Sequence, residues 1–156
     1  MAWSNSKIFR PMLADVLGNT TAMDFDADTF KAAWFGNTGT PDQNATSANS
    51  AYNAGAWVSG NEVSQSVQSP AGGIALTSQS LNSATSAVVF FDAADTATGS
   101  AATLSGIFGA LVYDDTLTTP VADQGASFNY FGGTQSVTSG QFTAVWHANG
   151  IFRFTL

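Results

Sequence analysis

Residues 103–156 contain four runs of β-branched, aromatic and small residues: TLSGIFGALVY at 103–113, ASFNYF at 126–131, QSVTSGQFTAVWH at 135–147 and IFRFTL at 151–156. Turn-forming residues separate these runs, and this alternation is typical of an antiparallel sandwich or barrel. Residues 73–81 and 85–91 have the same character, and residues 29–35 form a weaker candidate strand. The sequence therefore predicts an all-β fold: a single antiparallel β-sandwich or jelly-roll-like domain with little helix.

The last two runs are joined by Asn149-Gly150, which is the strongest short-range signal for a two-residue type I′ hairpin turn. This turn would place directly opposed residues on one face of the hairpin. The face assigned to the core carries Val145, Phe152, Phe154 and Leu156. The other face carries Phe142, Trp146, Ile151 and Arg153, with the Arg153 guanidinium over the Trp146 ring as a cation–π pair. We predict that this aromatic outer face is an assembly interface.

Residues 1–23 lack the strand pattern of the rest of the chain. Their apolar residues include Trp3, Ile8, Phe9 and Met12, and charged residues and a proline interrupt them. Because this cluster is too short to make a core of its own, we interpret residues 1–23 as an N-terminal arm that buries these four side chains against a partner. Residues 24–156 form the predicted β domain, in which residues 36–68 are expected to be long loops with short strands.

The composition limits the partners of the chain. Its 156 residues include 4 Lys and Arg, 11 Asp and Glu and no Cys, so the formal net charge is −7. Four basic residues cannot form a patch that neutralises several phosphates, which argues against a nucleic-acid partner. We also expect no membrane partner, because the apolar runs are too short and interrupted for a span. Charged residues make up only 10% of the chain, and such a surface favours association with other proteins.

Few residues are candidates for catalysis or metal binding. His147 is the single His, and its place beside a turn is more typical of a structural or solvent-edge residue than of a catalytic triad. Asp24, Asp26 and Asp28 have the alternate spacing of a calcium loop, but the Gly and the bidentate Glu of such a loop are missing. We therefore predict a protein that is not an enzyme and has no cofactor and no metal site. A looser cation site and an aromatic stacking platform are minor alternatives.

Short strings spread over nearly the whole chain point to a family. They are AWSNSKIF (2–9), YNAGAW (52–57), GNEV (60–63), GGIALTSQ (72–79), GALVYDD (109–115), VADQG (121–125), FNYFGGTQSVTSGQFT (128–143) and NGIF (149–152). Together they resemble the small head-decoration or minor capsid proteins of tailed phages that infect actinobacteria. The resemblance implies a non-enzymatic virion protein, made in the host bacterial cytoplasm. It would bind the outside of an icosahedral shell of HK97-type major capsid protein, often as a homotrimer.

Two other classes of protein stay open. Members of this family are also labelled as structural or minor tail proteins, so a tail or fibre component, including a receptor-binding module, is the first alternative. An enzyme or a small-molecule binder is the second. The number of copies per particle separates capsid decoration from a tail role, because a shell needs hundreds of copies and a tail tip needs far fewer.

Overall fold

Ten β-strands and four short helical elements make up the fold of residues 3–83 and 87–156, the part of the chain that the computed structural model describes. The strands are β1 (Lys7–Ile8), β2 (Phe30–Phe35), β3 (Ile74–Ala75), β4 (Ser80–Asn82), β5 (Val88–Asp92), β6 (Thr96–Ala97), β7 (Ala102–Asp114), β8 (Gly125–Gly140), β9 (Thr143–Ala144) and β10 (Phe152–Thr155). The helical elements are α1 (Arg10–Leu17), α2 (Ser47–Ser50) and two 3₁₀ turns, at Gly55–Trp57 and Ser59–Asn61. The described strand pairs are all antiparallel, so the predicted all-β antiparallel fold is confirmed.

β7 and β8 form a long ribbon within a five-stranded sheet, whose order is β1-β8-β7-β2-β3. β8 runs over 16 residues, although the sequence predicted separate strands at 126–131 and 135–147. Tyr130 of β8 lies opposite Gly109 of β7, and Gln135 lies opposite Ile107, so β8 uses more residues than β7 to cover the same length. The extra residues of β8 include Gly132, whose φ is 79°. Glycine adopts this conformation without a steric penalty, so the Gly-Gly pair there forms an irregularity within one strand.

A second, three-stranded sheet has the order β10-β5-β4, and β6 pairs with β9 separately. Buried aromatic rings join the second sheet to the first. Phe91 of β5 lies 5.1 Å from Phe30 of β2 between ring centroids, and Phe25 stacks on Phe30 at 4.9 Å. Phe30 and Phe91 are both fully buried. Two antiparallel layers that share an aromatic core give the fold its sandwich-like character.

The N-terminal segment belongs to this core, which differs from the separate arm expected at residues 1–23. Trp3 is 1% exposed and Phe9 is fully buried. The Trp3 ring packs against Trp57 at 5.6 Å and against Phe128 at 6.1 Å, and β1 pairs with β8. These apolar residues looked isolated because the rings that cover them lie far along the chain. The folded domain therefore begins within the segment assigned to the arm, and residue 24 is not a structural boundary.

The expected hairpin around Asn149-Gly150 is wrong. β10 pairs with β5, where Phe152 lies opposite Phe91, and β9 pairs with β6. The predicted core face fails with it, since Val145 is 74% exposed and Leu156 is 85% exposed, whereas Ile151 of the predicted outer face is buried. The predicted pairing of Arg153 with Trp146 is likewise absent, because Arg153 lies opposite Phe90. Burial of aromatic side chains against β5 outweighs the local preference of the turn.

A polar network anchors the loops of residues 36–73 to the main sheet. Tyr52 Oη donates to Glu62 Oε2 at 2.7 Å, and the backbone N–H of Gly72 donates to Glu62 Oε1 at 3.0 Å. Tyr113 Oη of β7 donates to Gly72 O at 2.6 Å, and its ring stacks on that of Tyr52 at 5.1 Å. Gly73 follows with a φ of 80°, and a Cβ there would lie 2.3 Å from the carbonyl oxygen of Ala32 in β2. These contacts fix the position of a region that has no strand of its own and only short helical turns.

Candidate assembly interface

The eight residues predicted to form an assembly interface do not form one surface. Trp3 and Phe9 are core residues, as described above. Phe142 is half-buried against other aromatic rings, and Trp146 is half-buried while its indole N–H donates to Thr96 Oγ1 at 3.0 Å. These four side chains therefore stabilise the domain itself.

The other four predicted residues lie at two surface depressions. Met12 lines an apolar groove between α1 and the three-stranded sheet. Ile8, Ile151 and Arg153 line a polar cleft between β1 and β10. Ile8 comes from the segment predicted to be an arm, and Ile151 and Arg153 come from the predicted hairpin, so the structure brings together residues that the sequence had assigned to two separate features.

The apolar groove encloses about 360 Å³ and is lined only by apolar residues: Met12, Leu13, Val16, Leu17, Phe25, Leu81, Val89, Phe152, Phe154 and Leu156. Several of these side chains face solvent. Leu17 is 78% exposed, Leu81 is 39% exposed and Leu156 is 85% exposed. A contiguous apolar surface of this kind marks a site of interaction more often than scattered exposed residues do.

The wall formed by α1 follows from helical periodicity. Pro11 lies in the first turn, where a missing backbone N–H costs no intrahelical hydrogen bond. Met12, Leu13, Val16 and Leu17 then recur at spacings that put them on one side of the helix. Only Met12 is buried within the domain, so the rest of this stripe is left partly uncovered.

Asp15 fixes the position of α1. Ser47 Oγ donates to Asp15 Oδ2 at 2.5 Å, and Gln124 Nε2 donates to the same oxygen at 2.9 Å. The hydrogen bond from Ser47 is the main cause that lowers the pKa of Asp15, and burial opposes it. Because Gln124 is fully buried just before β8, this contact ties the helix wall of the groove to the main sheet.

The opposite wall of the groove is one face of the three-stranded sheet. In β10, Phe152 and Phe154 alternate with Arg153 and Thr155, so the two rings share a face. Phe152 packs on Phe25 with ring centroids 5.6 Å apart. The alternation directs the aromatic rings of β10 into the groove.

The polar cleft, called the basic cleft below, encloses about 260 Å³ and is lined by Ser6, Lys7, Ile8, Ser127, Asn129, Ile151, Phe152 and Arg153. Lys7 and Arg153 are exposed, whereas Ser127 is 1% exposed and Asn129 is 8% exposed. Asn129 Nδ2 donates to Ser127 Oγ at 3.1 Å, which leaves the Ser127 hydroxyl hydrogen available to another acceptor. The cleft therefore combines two cationic groups at its rim with hydrogen-bonding groups at its floor.

The Asp residues with calcium-loop spacing are used in local structure. Asp24 Oδ1 accepts the backbone N–H of Asp26 at 3.0 Å, and Asp28 Oδ2 accepts that of Asp24 at 2.7 Å. Asp26 Oδ1 accepts the backbone N–H of Leu81 at 2.7 Å. His147 is exposed, and its Nδ1 accepts the backbone N–H two residues further on. Across the described ranges, no group of three or more His, Asp or Glu side chains could hold a metal ion.

Asp114, at the end of β7, is the most perturbed carboxyl group. It is fully buried, and its Oδ1 accepts the backbone N–H groups of Thr116 at 2.9 Å and Leu117 at 3.1 Å. Its Oδ2 receives no hydrogen bond from the described part of the chain, and the side chain contacts the carboxyl group of Asp28. Burial, and then the contact with Asp28, raise the pKa of Asp114 to about 7. Protonation of Asp114 removes the repulsion between its carboxyl group and that of Asp28.

No protein-family model, curated protein or solved structure matches the chain. Among the described residues, no helix is long and apolar enough to cross a membrane. The resemblance to head-decoration proteins therefore rests on the sequence strings alone.

The sequence contained a usable signal for the groove but little for the cleft. The spacing of apolar residues from Met12 to Leu17 is helical, and a helix read there would have shown an apolar face without a partner. The basic cleft depends on β1 pairing with β8 and β10 pairing with β5. Neither pairing follows from local sequence patterns.

Proposed function

We propose that this chain is a non-enzymatic structural protein of a phage virion that decorates and stabilises the outside of an icosahedral capsid. The sequence strings support the family, and the exposed apolar groove is the observation that carries the role. A surface with few charges and an open apolar groove suits a protein that is stable alone and completes its packing on a larger assembly.

In this proposal the groove is the attachment site for the major capsid protein. Removing Leu17, Leu81 and Leu156 from water would supply the main favourable free energy of attachment. A ligand that binds the assembled shell and not its dissociated parts stabilises it by about 2.7 kcal/mol per site at a hundredfold excess over Kd. A homotrimer would add the effective concentration of its linked contacts, so each contact can be weak.

Particles assembled with Leu17→Gln protein test the proposal. Leu17 is 78% exposed, so the change should leave the free domain folded and should lower its occupancy on particles. Val67→Gln is the matched control, because Val67 is 82% exposed and is not among the residues that line the groove. Particles with Leu17→Gln should release DNA at lower temperature than those with Val67→Gln. Equal occupancy and equal heat resistance of particles with the two variants would show that the groove is not the attachment site.

A tail or fibre component, including a receptor-binding module, is the alternative function. Quantitative mass spectrometry of purified virions distinguishes the two, because decoration requires hundreds of copies per particle. A few to some tens of copies, with imaging that places the protein on tails, would favour the alternative.

A further inference from the structure

We propose that the basic cleft binds an extended acidic peptide segment of another protein. This inference is independent of the apolar groove and of any attachment to a capsid, because it is carried by the charges and the strand edges at the cleft.

The charges at the cleft have no ion-pair partner among the residues that the structure describes. Within residues 3–83 and 87–156 there is one salt bridge, between Lys31 Nζ and Asp115 Oδ2 at 2.8 Å. Lys7 and Arg153 therefore form no ion pair there, although acidic residues outnumber basic ones by 11 to 4. Two of the four basic residues thus converge on one cleft whose other lining residues are uncharged. This arrangement is complementary to carboxylates, which Arg can bind with two hydrogen bonds.

The walls of the cleft are two strand edges that could accept another strand. β1 and β10 are each the last strand of their sheet, so no described strand pairs with their outer edges. The backbone N–H of Phe9 donates to Ala126 O, which directs the N–H and C=O groups of Ile8 away from β8. In the same way, the N–H of Leu156 donates to Ala87 O, which directs the backbone N–H and C=O groups of Arg153 away from β5.

The nature of the ligand follows from these two features. Open strand edges recognise a peptide backbone in the extended conformation, and the side chains beside them set the specificity. The volume of about 260 Å³ lies below the range of about 300 to 1,000 Å³ that is usual for small-molecule pockets. A short stretch of an extended chain with carboxylates at alternate positions fits the backbone edges, the volume and the charge together.

Binding of a fluorescein-labelled peptide in which Asp and Val alternate tests the proposal by fluorescence anisotropy. The peptide should bind the native domain, and the peptide with Asn at each Asp position should bind at least roughly fivefold more weakly. Arg153→Gln and Lys7→Gln should each weaken binding, and the double variant should bind no better than the Asn peptide does. Arg10→Gln is the matched control, since Arg10 is exposed and its Nη1 donates to Asn44 Oδ1 instead of lining the cleft.

Amide hydrogen exchange shows where the peptide lies. Bound peptide should slow the exchange of the Ile8 and Arg153 amides in particular, because those N–H groups face the open edges. Equal binding of the Asp and Asn peptides, or equal loss of affinity in Arg10→Gln, would overturn the proposal. If millimolar inorganic phosphate displaced the peptide fully from the cleft, the ligand would be a simple anion and not a peptide. An oligomer in sedimentation that the Lys7→Gln/Arg153→Gln variant dissociates would show that a second copy of this chain occupies the cleft.

Discussion

At Asp114 the native structure keeps a carboxyl group whose charged form is poorly solvated. Its pKa in the folded protein is about 7, whereas the ordinary value is 3.8. The folded state therefore binds the proton more tightly than the unfolded state does. The resulting stability is complete below pH 3.8 and is lost as pH rises through about 7.

We expect Asp114→Asn to remove this loss of stability at high pH. The amide oxygen can still accept the N–H groups of Thr116 and Leu117, and the amide N–H can donate to Asp28. Urea unfolding should show that the variant exceeds the native protein in free energy of unfolding at pH 8 by on the order of 1 kcal/mol. This excess should be smaller at pH 5 and should disappear below pH 3.8, where the unfolded state also binds the proton. Asp42→Asn, which changes an exposed carboxylate, should give the same small effect at both pH values. An effect of Asp114→Asn on the free energy of unfolding that does not vary with pH would contradict this account.

Gly73 tests whether the anchoring of the loops depends on close backbone approach. A methyl group at this position would lie 2.3 Å from Ala32 O, and its φ of 80° also disfavours a side chain. Gly73→Ala should therefore lower the free energy of unfolding by at least about 2 kcal/mol, measured by urea denaturation. Gly60→Ala is the control, because nothing lies within 4 Å of a Cβ there, and it should change stability by less than about 0.5 kcal/mol. Similar losses in both variants would show that the contact with β2 is not the cause.

At the scale of elements, strand identity followed from the sequence better than strand pairing did. The runs at 103–113 and 126–131 are β7 and most of the first half of β8, because β-branched and aromatic residues fit a buried sheet surface. The turn signal at Asn149-Gly150 was misleading, since β5 provides a more apolar partner for β10 than β9 does. Most of the predicted site residues in the N-terminal segment are buried for the same reason: long-range contacts decide which apolar residues remain exposed.

Engineered cysteine pairs can check the pairing of β10 in this cysteine-free chain. Thr155 lies opposite Val88 in the antiparallel register, so Thr155→Cys with Val88→Cys should form a disulfide on mild oxidation. Thr143→Cys with Leu156→Cys is the comparison pair, which the hairpin around Asn149-Gly150 would bring together. That pair should stay reduced, because β9 pairs with β6. Gel mobility and thiol titration report whether each disulfide forms. A disulfide in the comparison pair alone would show that the hairpin around Asn149-Gly150 is formed.

For the whole molecule, the apolar groove and the basic cleft should respond differently to salt. Attachment through apolar surface is little weakened by salt, whereas binding through Lys7 and Arg153 is screened as the Debye length falls from about 10 Å at 0.1 M to about 3 Å at 1 M. Retention of the protein on purified particles should therefore survive about 1 M NaCl, and the acidic peptide should dissociate from the free domain. Co-sedimentation measures retention of the protein on particles, and fluorescence anisotropy measures dissociation of the peptide. Release of the protein from particles at that salt concentration would show that charges, not the groove, hold it.

The contacts of Trp3 also bear on when the chain can fold. Its ring packs against Trp57 and Phe128, and β1 obtains its strand partner only from β8. During synthesis, Trp57 is made about midway between Trp3 and Phe128, but Phe128 and the strand partner of β1 exist only after more than a hundred later residues have been added. Pairings between such distant segments form slowly and leave apolar side chains uncovered meanwhile. A ribosome-bound chain that stops before β8 should consequently be open to proteases and chaperones, and the domain should become compact only after β8 leaves the ribosome.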